Sequence, residues 1–278
     1  MAATSVTTDP TRTVNILGFP VHLFDLENVA SLLTEAIRSK PQARIRVATL
    51  NPEMVMAGLD NPELGSALRS ADLVVPDGTG VVWALRRAGF RQQQRVTGVD
   101  LVEATLARCA AGGLRLFLLG GKPGVAEEAT ANILRRYPGL NVVGSAHGYF
   151  SSADDGKVVA MINRTRPDLL LVGMGVPRQE IWLDKQWRSL AVAVGIGVGG
   201  LLDLWAGRTK RAPGLLQTLG LEWAYRVWRE PARWHRLRIL PTFVRRVRME
   251  SGTKRAQARG ETDVMAEGEW SPPENRNY

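Results

Sequence analysis

The chain has 278 residues, 45% of them hydrophobic, enough to bury a core as one large domain or as one domain with an appendage. Its single cysteine, Cys109, excludes an internal disulfide, and the scattered His22, His147 and His235 give no zinc-ligand spacing. The net charge of +9 is concentrated: residues 1–204 hold 21 Lys/Arg against 19 Asp/Glu, 205–248 hold 11 against 2, and 249–278 hold 4 against 6.

Met1 to Thr13 is polar and lacks an apolar h-region, so 1–13 is expected to be a flexible N-terminus and not a signal peptide. No uninterrupted apolar run approaches the ~18 residues of a membrane span, which predicts a soluble or peripheral protein. From Val14 to about Asp203 short apolar runs alternate with helical patterns. The runs Val14–Leu17, Arg44–Leu50, Leu73–Val75, Leu114–Leu119, Asn141–Ser145, Leu169–Val172 and Val192–Ile196 are predicted strands. Several are continuous Val/Leu/Ile stretches, as expected of strands buried on both faces. Helices are predicted over Glu53–Leu59, Val125–Tyr137 and Gln179–Trp187. The alternation argues for a parallel α/β sheet over 14–204.

After Asp203 the texture changes. Trp205, Trp223, Trp228 and Trp234 interleave with arginines, and Pro213, Pro231 and Pro241 divide the stretch, predicting a basic appendage of short helices over 205–248. Its charge marks a surface for something anionic: a phosphorylated substrate, an acidic membrane face or nucleic acid. Residues 249–278 are polar and predict a disordered tail.

Four motifs sit at predicted strand ends, where open α/β sheets bind ligands. Thr49-Leu50-Asn51-Pro52-Glu53 leaves a strand and opens a helix, with Asn51 a natural N-cap and Pro52 at the first helical position. Val74-Val75-Pro76-Asp77-Gly78 ends a strand in one carboxylate, Asp77. Pro-Asp-Gly is ordinary turn chemistry, and by itself the tripeptide favours a turn. If the two strands are neighbours, however, Thr49, Asn51 and Asp77 share one crevice and Asp77 becomes a candidate general base. Leu119-Gly120-Gly121-Lys122-Pro123-Gly124 is a glycine turn before a helix, able to approach a phosphate but not a P-loop. Gly195-Ile196-Gly197-Val198-Gly199-Gly200 matches G-x-G-x-x-G, yet no acid-bearing strand follows ~20 residues on, which disfavours a nicotinamide enzyme. No Asp-x-Asp and no Gly-x-Ser-x-Gly elbow is present. The arginines 226, 229, 233, 236 and 238 read either as a solvated face over packed tryptophans, as a diphosphate clamp, or as a membrane-binding surface. A basic α/β module on nucleic acid is the alternative from another class, although no aromatic-basic recognition motif is present.

In order along the chain these blocks resemble the WecG/TagA/CpsF family of bacterial glycosyltransferases, glycosyltransferase family 26. The resemblance rests on Thr49-x-Asn51-Pro52-Glu53, Ala71-Asp72 to Pro76-Asp77-Gly78-x-Gly80-Val81, and Arg95-Val96-Thr97-Gly98-x-Asp100. It continues through the Phe117-to-Gly124 turn, His147-Gly148-Tyr149-Phe150, Gly173-x-Gly175-x-Pro177-x-Gln179-Glu180, Gly195-x-Gly197 to Asp203, and Glu230-Pro231-x-Arg233. It implies an inverting, metal-independent transferase without a cofactor. Such an enzyme would move an N-acetylmannosamine-type sugar, or another hexose, from a UDP-sugar donor to a polyprenyl-diphosphate-linked acceptor. Carried over by motif, Asp77 is the base and Thr49 acts beside it. Thr49 and Asn51 line the sugar pocket with Arg95 nearby, and Tyr149, Gln179 and Asp203 contact the nucleotide. Arg226, Arg233 and Arg236 face the diphosphate, and the appendage is a lid and tether on an anionic membrane at the cytoplasmic face, with no nucleic-acid partner. The fold expected is α/β: a Rossmann-like, mostly parallel sheet flanked by helices, with the C-terminal basic helical appendage.

Overall fold

The computed structural model describes residues 13–39, 44–109, 112–218, 222–229, 234 and 238–250. The chain opens with β1 (Thr13–Ile16) and β2 (Phe19–His22), an antiparallel hairpin, followed by α1 (Leu26–Arg38). Then come β3 (Ile45–Leu50), α2 (Pro52–Asp60), α3 (Pro62–Arg69), β4 (Leu73–Pro76), α4 (Thr79–Arg87), α5 (Gly98–Cys109) and β5 (Arg115–Gly120). The α/β part continues with α6 (Val125–Arg136), β6 (Asn141–Ala146), α7 (Asp155–Thr165), β7 (Leu169–Gly173), α8 (Arg178–Gln186), β8 (Val194–Gly197) and α9 (Leu201–Trp205). Short α10 (Gly214–Thr218) and α11 (Glu222–Arg229) follow, and a final helix, α12, runs over 239–250.

Six strands form one sheet in the order β4-β3-β8-β7-β5-β6, and every neighbouring pair is parallel. The α/β architecture and mostly parallel sheet expected from the alternation are therefore present. All seven predicted strands form, with ends shifted by at most two residues. The strand missed was β2. Its Phe-Pro-Val-His is only four residues long and carries a proline, which argues against a strand in sequence. Tertiary context overrides this, because β2 lies beside the free edge of β4, where His22 Nδ1 accepts the Val74 N–H at 3.0 Å. That bond satisfies an edge amide no strand reaches.

Period-2 alternation assigns the strand residues to two faces. Val47, Leu73, Val75, Leu116, Leu118, Leu169, Leu171, Val194 and Ile196 pack against α1, α5, α6 and α9, with Trp205 in the same core. On the opposite face Ala48, Leu50 and Val74 meet α2, α3, α4 and the hairpin, while Phe117, Leu119, Leu170 and Val172 meet α7 and α8. Both faces being covered explains why the strands read as unbroken apolar runs. Asn51 caps α2 by accepting the Met54 N–H at 3.0 Å, as its sequence predicts. Asn61-Pro62 repeats the device at α3, with Asn61 accepting from Leu64 at 3.1 Å.

Helix α12 returns to the body of the protein. Phe243 and Val247 are buried among Ile16, Leu50, Met54 and Val81, and Leu17 N–H donates to Glu250 Oε2 at 3.2 Å. Pro241 lies in the first turn of α12 and does not interrupt it, because a first-turn amide has no helical partner to lose. Among the described residues, no helix is long and apolar enough to cross a membrane. The N-terminal segment 1–12 and the tail 251–278 lie outside the described residues.

Phe243 anchors α12 through a fully buried ring, so Phe243→Ala is expected to cost about 3–5 kcal/mol in urea unfolding. A loss below about 1 kcal/mol would show that α12 does not share this core.

Candidate active site

Three adjacent strands, β4, β3 and β8, end at one crevice. The chain leaves β3 outward to β4 and returns from the far side as β8, so their carboxyl ends form a topological switch point. The β3–β4 ladder closes with Leu50 opposite Pro76. One residue further, Asp77 N–H donates to Leu50 O at 3.0 Å, which places Asp77 beside Asn51. The two turns touch so closely that a Cβ on Gly78 would lie 2.5 Å from Pro52 Cδ, and one on Gly80 would lie 2.6 Å from Pro52 Cγ. Glycine is required at both positions for this approach. Gly80 is also where Leu240 and Phe243 of α12 press down. The Pro-Asp-Gly turn is thus real, and it also carries its acid into a crevice.

Thr49 is buried and reaches across to β8, its hydroxyl 3.5 Å from Gly197 O. Arg95 is brought in by a backbone bond, Val96 N–H to Pro76 O at 2.9 Å, that holds its segment against the end of β4. Together Thr49, Asn51, Asp77, Arg95 and Asp203 line one cleft of about 520 Å³. Motif residues as far apart in sequence as Thr49 and Asp203 thus meet in a volume suited to a small-molecule ligand.

Two other predicted contacts sit elsewhere. Gln179 lies under the cleft without lining it, 3% exposed, with its Oε1 accepting from Gly175 N–H at 3.1 Å and Gly199 N–H at 3.0 Å. It ties the loop after β7 to the loop after β8. Tyr149 is 61% exposed on the loop after β6 and does not line the cleft. Arg226 falls within α11, but its side chain, like Arg233 and Arg236, lies outside the described residues.

The cleft also holds Lys210, Arg211 and Glu222, which no motif singled out, together with Thr97 of the Arg95-to-Asp100 block and Trp223 of the basic segment, to which the sequence assigned no role. Glu222 carried a signal in composition, being one of the 2 acids among 11 basic residues in 205–248. Among the described residues, no group of three or more His, Cys, Asp or Glu is placed to hold a metal ion.

A profile of the glycosyl transferase WecG/TagA/CpsF family matches residues 14–257. The chain belongs to this family. Two similar proteins carry the name N-acetylglucosaminyldiphosphoundecaprenol N-acetyl-beta-D-mannosaminyltransferase. The one from Bacillus spizizenii is 34% identical over 71% of this chain and 76% of its own length. The one from Bacillus subtilis is 33% identical over 75% of this chain and 81% of its own length.

One group in this glycosyltransferase has an unusual environment. Glu180, beside Gln179, is 7% exposed; its Oε1 accepts from Gln179 Nε2 at 2.7 Å, and its Oε2 is enclosed without a hydrogen-bond partner among the described residues. Burial pushes its carboxyl up to about 7, opposed by the Gln179 hydrogen bond and reinforced by the Glu53 carboxylate. The folded chain therefore holds this proton more tightly than the unfolded chain does. Its stabilising effect is fully present below the ordinary value of 4.5 and is lost as pH rises toward 7, by roughly 3 kcal/mol. Glu180→Gln removes the titration and keeps the acceptor. Between pH 5 and 8 the variant is expected to lose about 2–3 kcal/mol less unfolding free energy than the parent; equal losses in urea titrations would refute this role.

Proposed function

We propose that the protein is an inverting transferase that moves N-acetylmannosamine from a UDP donor to the N-acetylglucosamine of a polyprenyl-diphosphate-linked acceptor. The observation that carries this reading is Asp77, a strand-end carboxylate in a cleft that also holds Arg95, Lys210 and Arg211. The names borne by the two Bacillus relatives supply the sugar and the lipid-linked acceptor.

A single displacement needs a base on the acceptor side and charge stabilisation on the leaving side. Asp77 takes the proton of the acceptor hydroxyl as its oxygen bonds to the anomeric carbon. The bond from that carbon to the diphosphate oxygen breaks, and its electron pair leaves with UDP. One displacement inverts the anomeric centre. Thr49 and Asn51 flank the base and orient the sugar. Arg95, Lys210 and Arg211 in the same cleft meet the charge that grows on the diphosphate, which suits the planar guanidinium of arginine.

A lipid acceptor also requires approach to a membrane. The segment carrying most of the excess charge exposes Leu215 at 72%, Trp228 at 72% and Trp234 at 60%. Large apolar side chains among arginines are suited to the interface of an anionic bilayer, here the cytoplasmic face.

With UDP-N-acetylmannosamine and a short-chain prenyl-diphosphate acceptor, Asp77→Asn is expected to lower kcat by about 10²–10⁴-fold while UDP affinity stays within a few-fold. An Asp77→Asn enzyme of undiminished kcat would remove Asp77 from the reaction. For the membrane, the double variant Trp228→Ala with Trp234→Ala should partition onto anionic vesicles at least about tenfold more weakly than the parent chain. Equal co-sedimentation of the two would sink the tether.

A further inference from the structure

Glu222, the first residue of α11, is 6% exposed and lines the cleft. Its two carboxylate oxygens face two arginines from distant parts of the chain. Arg95 Nη2 lies 3.4 Å from Oε2, and Arg211 Nε lies 3.7 Å from Oε1. Arg95 comes from the segment held against the end of β4, and Arg211 from the loop between α9 and α10. Arg211 is further fixed by Asp100, which accepts from its Nη2 at 2.7 Å and from the Thr97 hydroxyl at 2.7 Å through the other oxygen.

The approaches of Arg95 and Arg211 to Glu222 are long. A charge-assisted bond between guanidinium and carboxylate closes to about 2.7–2.9 Å. Here neither arm does so, and Arg211 Nε is enclosed without a hydrogen-bond partner among the described residues. An enclosed, unsatisfied guanidinium N–H is costly, and an acceptor with more oxygens and more charge would satisfy it better. Asp100 positions the guanidinium without neutralising the whole pair, because Glu222 stands between two arginines.

We infer that Arg211, paired with Arg95, is a receptor for a diphosphate, and that Glu222 stands in the position of this anion and is exchanged for it on binding. The identification of the anion as part of a nucleotide donor rests on the function proposed above; the anion receptor itself does not. The exchange conserves charge pairing: each guanidinium gives up one carboxylate oxygen and takes phosphate oxygens instead. It makes Glu222 an internal competitor that sets the affinity for the donor.

Calorimetry on the full chain at fixed ionic strength tests this with three probes: inorganic pyrophosphate, UDP and uridine. Glu222→Gln is nearly isosteric and removes the competitor. It is expected to bind pyrophosphate and UDP about three- to tenfold more tightly, with uridine unchanged. Arg211→Met is expected to weaken both phosphates at least about tenfold, again with uridine unchanged. Arg211→Lys keeps the charge but not the fork and should fall between parent and Met. It decides the matter should Arg211→Met fail to fold. Unchanged or weaker pyrophosphate binding in Glu222→Gln overturns the exchange. Equal weakening of UDP and uridine in the Arg211 variants assigns Arg211 a structural role and overturns the receptor. A parent chain that takes pyrophosphate but not UDP leaves the receptor standing and refutes the UDP donor; a parent that takes neither refutes both.

Discussion

The hydrogen bond from Asp77 N–H to Leu50 O carries the β3–β4 pairing one residue beyond the sheet, and the candidate chemistry depends on it. Parallel strands end in register, so the residues that follow them are neighbours without further design. What the sequence adds is the absence of side chains. Gly78 and Gly80 let the Asp77 turn press against Pro52, and the same contact seats Leu240 and Phe243 of α12. A proline at the first position of α2, a carboxylate at the end of β4 and the distant helix α12 are thereby packed into one unit.

The other wall of the crevice is built differently. There the polar side chain of Gln179 gathers the backbone amides of Gly175 and Gly199, and Glu180 fixes the amide by accepting its N–H. Backbone groups at strand ends must find partners when buried, and one side chain satisfies two of them. Glu180 then carries the burden of an enclosed carboxyl. This arrangement holds the loops after β7 and β8 beneath a cleft that Lys210, Arg211, Glu222 and Trp223 of the C-terminal segment also line. The charge pattern follows from this division: the sheet edge supplies the acid, and the segment after α9 supplies cations together with Glu222, which faces Arg95 and Arg211.

Several features were legible before any coordinates. Unbroken Val/Leu/Ile runs gave the strands because burial on both faces removes the polar alternation. Asn51-Pro52 gave a helix start because capping is a local hydrogen bond. The order of the motif blocks pointed to the family to which the chain belongs. The strand β2 was not legible, since Phe-Pro-Val-His has no strand signature apart from the edge of β4 that it covers. The tie that Gln179 makes between two loops was equally hidden, because its bonds to Gly175 and Gly199 depend on where the loops after β7 and β8 meet.

The sequence by itself determined the alternation of elements, the helix caps, the segregation of charge and the set of residues able to do acid–base chemistry. These are local properties, fixed by a few neighbouring side chains and by composition. Only the tertiary structure decided which of those residues meet. Strand order β4-β3-β8 brings Thr49, Asn51 and Asp77 together with Asp203, and leaves Tyr149 on another loop. The Arg95–Glu222–Arg211 cluster joins positions as much as 127 residues apart. No periodicity in the chain encodes such a meeting, because it follows from the path of the crossovers and from which surfaces remain to be buried once the sheet has formed.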